Sequence, residues 1–164
     1  MTVEFRLRKI APGDTERLIE VRALADNAFR GDSPIVEVDV ERTRRYLTQS
    51  DAFGLVADAD SEVAGFALAM DGRLNDGAGE VIAGLCHIAA VFVAPAFWNL
   101  RVGGRLLDAL LDAARVRGHR RAQLWTQDHN EPALRLYRGR GFADVGREKF
   151  DERGDRITLF ARDL

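Results

Sequence analysis

The sequence reads as one mixed α/β domain over residues 1–164, its strands and helices following the order βααβββαβαββ. Three observations lead there. First, of the thirteen residues from Val81 to Val93, only Cys86 and His87 bring polar or reactive side chains. A β-branched, apolar run of that kind predicts a central strand covered on both faces. Second, the period changes after Pro95: Leu106, Leu107, Leu110, Leu111 and Ala114 recur at helical spacing, with Arg105, Asp108, Asp112 and Arg115 on the opposite side. Third, the flanking stretches alternate apolar with polar residues and are punctuated by Gly, Pro, Asn and Asp, the pattern of shorter strands and their turns.

Taken in order, Val3–Ile10 alternates as a first strand, with Val3, Phe5 and Leu7 on one face. Asp14 or Thr15 can cap a helix that carries Leu18, Ile19, Arg22, Leu24, Ala25 and Ala28 to about Arg30. Gly31–Pro34 breaks it, and a second helix covers Val40–Gln49. Phe53–Ala57 and Val63–Met70 form a hairpin around the DADSE turn, and Asp71–Gly79 is a polar loop. The central strand ends near Ala94, because Pro95 cannot donate to a ladder. Its helix runs from Gly103 to a C-cap at Gly118. Ala122–Thr126 is another buried strand, a helix opens at Asn130, and Phe142–Phe150 with Arg156–Arg162 closes the chain as a hairpin turning at DERGD.

Composition narrows the function classes. With 46% hydrophobic and 30% charged residues the chain is an ordinary globule, and a net charge of −2 offers no footprint for nucleic acid. The basic run at Arg115, Arg117, His119, Arg120 and Arg121 suits the C-terminal end of a helix. No apolar block predicts a signal peptide or a membrane span. One cysteine excludes an internal disulfide and fits a reducing, cytoplasmic setting. His119 and His129 stand near carboxylates without metal-ligand spacing, so no metal is expected.

The turn into the Gly103 helix is a candidate anion site. Unpartnered N–H groups and the positive end of the helix dipole converge there, Gly103 and Gly104 permit close approach, and Arg101 and Arg105 add charge. The spelling is not GxxxxGK[ST], which excludes a P-loop; it is not GxGxxG either, and the strand before the loop comes late in the chain, which argues against a dinucleotide fold. VFVAPAFWNLRVGGRLL instead resembles motif A of the GCN5-related N-acetyltransferases, a strand, a proline and then Gln/Arg-x-x-Gly-x-Gly/Ala. Aligned on Gly103, Trp98 stands where Gln or Arg is usual, and Arg101 where the first glycine is usual. NEPALRLYRGRGF is similar to motif B of the same family, N-x-x-A-x-x-hydrophobic-Tyr-x-x-x-Gly-Phe, matching at Asn130, Ala133, Leu136, Tyr137, Gly141 and Phe142.

The resemblance implies a central mixed, mostly antiparallel sheet of about seven strands flanked by about four helices. It also implies that acetyl-CoA is the co-substrate. Carried over, main-chain groups of Val91, Phe92 and Val93 would bind its pantetheine arm and stabilise the oxyanion. The pyrophosphate would fall to Trp98, Asn99, Leu100, Arg101, Val102, Gly103, Gly104 and Arg105. Arg101 is either a phosphate partner or a solvated loop charge. Asn130 would cap its helix and bond the cofactor arm, beside Ala133. Tyr137, two turns on and roughly 10 Å along the axis, would be the general acid toward the CoA thiolate.

For a general base, His87 is the core histidine with a pKa suited to the task, sharing a face with Val91 and Val93 by alternation; a buried neutral histidine is the other reading. Glu80, at the strand entrance, is the second candidate, working through a water. Cys86 points to the opposite face from His87, so the two are no nucleophile–base pair. The expected reaction is direct attack by a primary amine of a small molecule or peptide. Its recognition is expected from Asn27–Val38, Asp71–Gly79 and the last hairpin, with Phe29, Asp32, Glu37, Asp76 and Trp125 as candidates. Acidic residues there would suit a cationic amine. Metabolite, antibiotic amine and protein terminus stay open, as do monomer and homodimer. A non-catalytic acyl-CoA-binding regulatory module and a dimerising interaction protein are the alternatives.

Overall fold

A computed structural model describes residues 2–31 and 37–164, without the side chains of 37–39. The elements are β1 (Arg6–Lys9), α1 (Thr15–Arg30), α2 (Glu37–Leu47), β2 (Phe53–Ala59), β3 (Glu62–Arg73), β4 (Val81–Val93), α3 (Val102–Val116), β5 (Arg121–Gln127), α4 (Glu131–Arg138), β6 (Ala143–Phe150) and β7 (Arg156–Asp163). Their order is the one the periodicities predict. The seven strands pair in the order β1-β2-β3-β4-β5-β7-β6. The β1–β2, β2–β3, β5–β7 and β6–β7 ladders are antiparallel, and β4–β5 is parallel. A parallel pair needs a long crossover, which α3 supplies.

The chain divides into two compact units, Met1–Ala69 with Ala90–Leu110, and Met70–Ala89 with Leu111–Leu164. In the first unit Leu18 and Val21 of α1, Val56 of β2, Phe66 and Leu68 of β3, and Val102, Leu106, Leu107 and Leu110 of α3 are almost wholly withdrawn from water. In the second unit the core is Cys86 and Ile88 of β4, Leu111 and Ala114 of α3, Ala122 and Leu124 of β5, Leu134 of α4, and Leu159 and Phe160 of β7. The apolar stripe predicted for α3 is the face that is buried. Its C-terminus closes as a Schellman turn: His119 N–H bonds the Ala114 carbonyl, Gly118 N–H bonds that of Arg115, and Gly118 takes φ +91°.

Several boundaries differ from the periodic reading. β1 starts at Arg6, because Val3 is exposed and nothing rewards extending the ladder to it. In α1 the buried stripe is Leu18, Val21 and Ala25, while Leu24 faces water. Asp14 precedes α1 without capping it: its carboxylate accepts from Ala11 N at 2.7 Å and from Arg8 at 2.9 Å. Arg8 also reaches Asp58 at 2.6 Å, and its guanidinium holds the Asp14 carboxyl below the usual range. α2 runs three residues earlier than expected and stops at Leu47. Gly31 ends α1 with φ +75°, and the remainder of the GDSP break, Asp32–Pro34, lies outside the described residues. β3 continues through Asp71–Arg73, so the polar loop shrinks to six or seven residues and is pinned by Leu74 N–H to Glu80 O at 2.9 Å. Polar side chains do not stop a strand whose backbone still finds partners.

Candidate active site

β4 delivers the first group of candidate residues. Its parallel ladder with β5 spans only Leu85–His87 against Arg121–Gln123, and β4 continues past it from Ile88 to Val93. Gly65 on β3 shapes that strand end. A Cβ there would lie 2.6 Å from the Phe92 carbonyl oxygen and 3.2 Å from the Val93 Cα, so only glycine lets the two strands meet. Phe92 packs on Phe66 with ring centres 5.9 Å apart, and the Arg22 guanidinium stands 5.1 Å above it. Ala94 N–H bonds the Ala64 carbonyl at 2.8 Å, and Pro95 then turns the chain away.

The loop that follows is held by its own tryptophan. The Trp98 indole N–H donates to the Val93 carbonyl at 2.7 Å, folding an exposed ring back onto the strand end. Asn99 and Arg101 both adopt φ +63°. A residue with a Cβ pays roughly 1–2 kcal/mol for the left-handed region, which is the physical reason for a glycine at the Arg101 position in the resembled motif. Arg105 N–H to Arg101 O, at 3.2 Å, is the first bond of α3, which makes Arg101 the N-cap. Arginine has no acceptor with which to cap a helix. The N–H groups of Val102, Gly103 and Gly104 therefore lie in the first turn, beyond reach of a helical carbonyl. Between Ala94 and Leu107 there is no carboxylate, while Arg101 and Arg105 are both exposed. Backbone donors, a helix N-terminus, two guanidinium groups and no competing acid make a donor set that fits a pyrophosphate.

In the second unit, α4 opens as predicted: the Asn130 side-chain oxygen accepts from Ala133 N at 3.2 Å, and Pro132 sits in the first turn. The cap occupies that oxygen, leaving the amide nitrogen as the donor for any further partner. Tyr137 is buried, edge-on to Phe142 at 6.0 Å, and burial pushes its hydroxyl up to about 12. α4 ends in a second Schellman turn: Phe142 N–H bonds Tyr137 O, Gly141 N–H bonds Arg138 O, and Gly141 takes φ +84°.

The two base candidates sit differently. His87 lies beside Gln123 in the parallel register, with the Gln123 amide nitrogen 3.4 Å from the His87 Nδ1. Burial and then the charge of Lys149 push its pKa down to about 4, with Asp76 opposing. The sequence reading of a pKa poised near neutrality is corrected by that surrounding: this imidazole is neutral throughout the physiological range. Glu80 is exposed, and its main-chain carbonyl ties the β3–β4 connection. It precedes His87 by seven residues, at most about 23 Å of chain, and lies outside β4. It takes no part in the chemistry proposed below. Cys86 is buried on the other face from His87, its thiol pushed up to about 12, chiefly by burial and then by Asp71.

Of the candidates for acceptor recognition, Asp76 and Trp125 come together, whereas Phe29 is half-buried on α1 in the first unit. Asp32 and the side chain of Glu37 lie outside the described residues. Asp76 is 3.2 Å from Arg147 and 3.7 Å from Lys149, and both cations stand over the Trp125 ring, at 5.6 and 4.4 Å. Asp76 is thus already countered by β6, contrary to the expectation of an acid awaiting a cationic amine. Arg147, Lys149, Gln123 and Gly65 were not among the candidates. The alternation of Arg147 and Lys149 was visible, but its meaning depends on which strand β6 faces. Among the described residues no three His, Cys, Asp or Glu side chains are grouped to hold a metal, and no helix is long and apolar enough to cross a membrane.

This fold and these two motif regions define a class. The acetyltransferase (GNAT) family model matches residues 18–142, and the chain belongs to that family. Among curated proteins it is similar to the spore coat polysaccharide biosynthesis protein SpsD of Bacillus subtilis (strain 168), 30% identical over 146 residues. That match takes in 84% of this chain and 47% of SpsD. It is also similar to the mycothiol acetyltransferase of Stackebrandtia nassauensis, 29% identical over 139 residues, covering 83% of this chain and 44% of that protein. The chain spans about half the length of these curated relatives. Among solved structures, YncA from Salmonella typhimurium with its cofactor acetyl-CoA superimposes with a TM-score of 0.72 at 21% identity, over 98% of this chain and 94% of that one.

Proposed function

We propose that the chain is an acetyl-CoA-dependent N-acetyltransferase that acetylates a primary amine by direct attack. The observation that carries this reading is the α3 N-terminus: three backbone donors, an arginine in the capping position and no acid, in a chain of this family. Val102, Gly103 and Gly104 N–H groups, with Arg101 and Arg105, hold the pyrophosphate. Main-chain groups of Val91–Val93 hold the pantetheine arm and donate to the oxyanion. The intact Asn130–Phe142 motif and the YncA complex with acetyl-CoA support the same assignment.

In the proposed reaction the neutral amine nitrogen bonds to the thioester carbonyl carbon, the carbon–sulfur bond breaks, and the sulfur leaves as thiolate. Tyr137 holds its proton at every working pH and donates it toward that sulfur. A phenol at about 12 is a far weaker acid than a thiol near 8.5, so its contribution is a hydrogen bond to the developing thiolate more than a completed transfer. His87, held neutral and half-buried, accepts a hydrogen bond from the attacking amine and so orients it, and the proton that the nitrogen loses goes to water. The single buried cysteine suits a reducing, cytoplasmic setting.

Isothermal titration with acetyl-CoA and then CoA, followed by thiol release across a panel of amines, tests the reading. Micromolar binding with amine-dependent thiol release is the expected result. Binding without release from any amine would instead favour a regulatory module, and no binding at millimolar cofactor would end the enzyme reading.

A further inference from the structure

The acetyl-transfer mechanism makes no use of the cluster over Trp125. Lys149 Nζ lies 4.4 Å and the Arg147 guanidinium carbon 5.6 Å from the indole centre. The Asp76 carboxylate reaches Arg147 at 3.2 Å and Lys149 at 3.7 Å. Two cations against one carboxylate leave a local charge of +1, on the sheet face that also carries Gln123 and His87. The contacts of Asp76 are long and solvent-reached, the kind of ion pair that contributes little and is readily exchanged. Asp76 is presented by a tight turn, Asn75–Gly77, whose three residues all have positive φ, two of them without being glycine. A backbone of that kind persists only where its surroundings over-determine it, and such sites are often functional.

We propose that Arg147 and Lys149, standing over Trp125, bind the carboxylate of the acceptor, which is an amino-acid-like molecule carrying an amine and a carboxylate together, and that Asp76 fills that anion position until the acceptor displaces it. The inference rests on the acetyltransferase reading for the fate of the amine, and on this cluster alone for the carboxylate. The position takes a carboxylate in the structure already, that of Asp76 on its exposed turn. A planar guanidinium and a point cation side by side suit such a group better than a second ammonium. Trp125 and Gln123 are next neighbours on one face of β5 and His87 lies beside Gln123, so a short molecule can present its carboxylate to the cations over Trp125 and its amine toward the imidazole.

Acetyl-CoA binding and turnover are measured on the unaltered full chain, and fluorescence on the full chain carrying Trp98→Phe, which leaves Trp125 as the remaining tryptophan of two. Its fluorescence is titrated with N-acetyl-L-alanine and with N-acetyl-L-alaninamide, which differ only in the anionic group. A saturable change is expected with the acid, at least tenfold weaker with the amide. Combining Arg147→Met and Lys149→Met should abolish that preference, and Asp76→Asn should tighten the acid several-fold by removing the internal competitor. With acetyl-CoA, L-alanine should exceed L-alaninamide at least tenfold in kcat/KM after correction for the neutral-amine fraction. Equal binding of acid and amide, or a preference that survives the double substitution, overturns the proposal. Failure to bind acetyl-CoA would remove the acetyltransferase reading instead, because the fluorescence titration needs no cofactor and decides the carboxylate site separately.

Discussion

Protonating His87 should weaken the fold, and the size of the effect follows from its surroundings. The ring is held neutral in the folded chain, with its pKa pushed down from 6.5 to about 4 by burial and by Lys149. In the unfolded chain it titrates near 6.5, so between pH 6.5 and 4 the unfolded state binds more protons and stability falls as pH falls. The full difference of 2.5 pH units corresponds to at most about 3.4 kcal/mol. At pH 5 the linkage relation gives about 2 kcal/mol of that loss, against almost none at pH 7.5. Urea denaturation followed by circular dichroism at pH 7.5 and 5.0 measures it. The wild-type chain should lose about 2 kcal/mol more than His87→Gln over that interval, since glutamine carries no titrating proton. Lys149→Met should reduce the loss part-way by removing the cation that opposes the imidazolium. If His87→Gln loses as much stability as the wild type, or if His87 titrates near 6.5 by NMR, the reasoning fails.

Other outcomes follow from the same geometry. Tyr137→Phe should lower kcat by about 10²–10³, the cost of losing one preorganised transition-state hydrogen-bond donor, with acetyl-CoA affinity within twofold of wild type. No alkaline limb attributable to the hydroxyl should appear in the wild-type rate profile below about pH 10, given its pKa of about 12. Full turnover by the variant would remove Tyr137 from the chemistry. Cys86, buried and with its thiol pushed up to about 12, should resist an aromatic disulfide reagent at pH 8 in the folded chain and react with one equivalent in guanidinium. Rapid labelling of the native chain would contradict its placement. Gly65→Ala must move the Phe92 carbonyl, 2.6 Å from the new Cβ, and should cost about 1–3 kcal/mol of stability together with weaker acetyl-CoA binding in calorimetry. A variant with unchanged melting and affinity would show that β3 and β4 do not meet as described.

Much of the fold was legible because its signals are local. The α3 face from Leu106 to Ala114, the proline stop at Pro95, the Asn130 cap and the left-handed glycines at Gly118 and Gly141 each rest on neighbours a few residues away. Ends were less legible where they depend on a partner. Asp71–Arg73 joins β3 because the β3–β4 connection closes at Leu74 and Glu80. Asp14 is drawn from its capping role by an arginine on β1 that is itself shared with Asp58 on β2. The motif position marked Arg101 as standing where a glycine is usual, but neither its left-handed backbone nor the hold of Trp98 on the Val93 carbonyl was legible, since an indole N–H can satisfy many acceptors.

The sequence alone therefore determined which residues carry the motifs, their order along the chain and the period of every principal element, because hydrophobic spacing and backbone punctuation act over one or two turns. Tertiary structure decided the state and company of the titratable groups. His87 is an ordinary imidazole on paper and a neutral one near Lys149; Asp76 is an open acid on paper and a countered one beside β6. Charge and desolvation depend on distances between residues up to 71 positions apart, as for Asp76 and Arg147, and those distances exist only once the strands have paired.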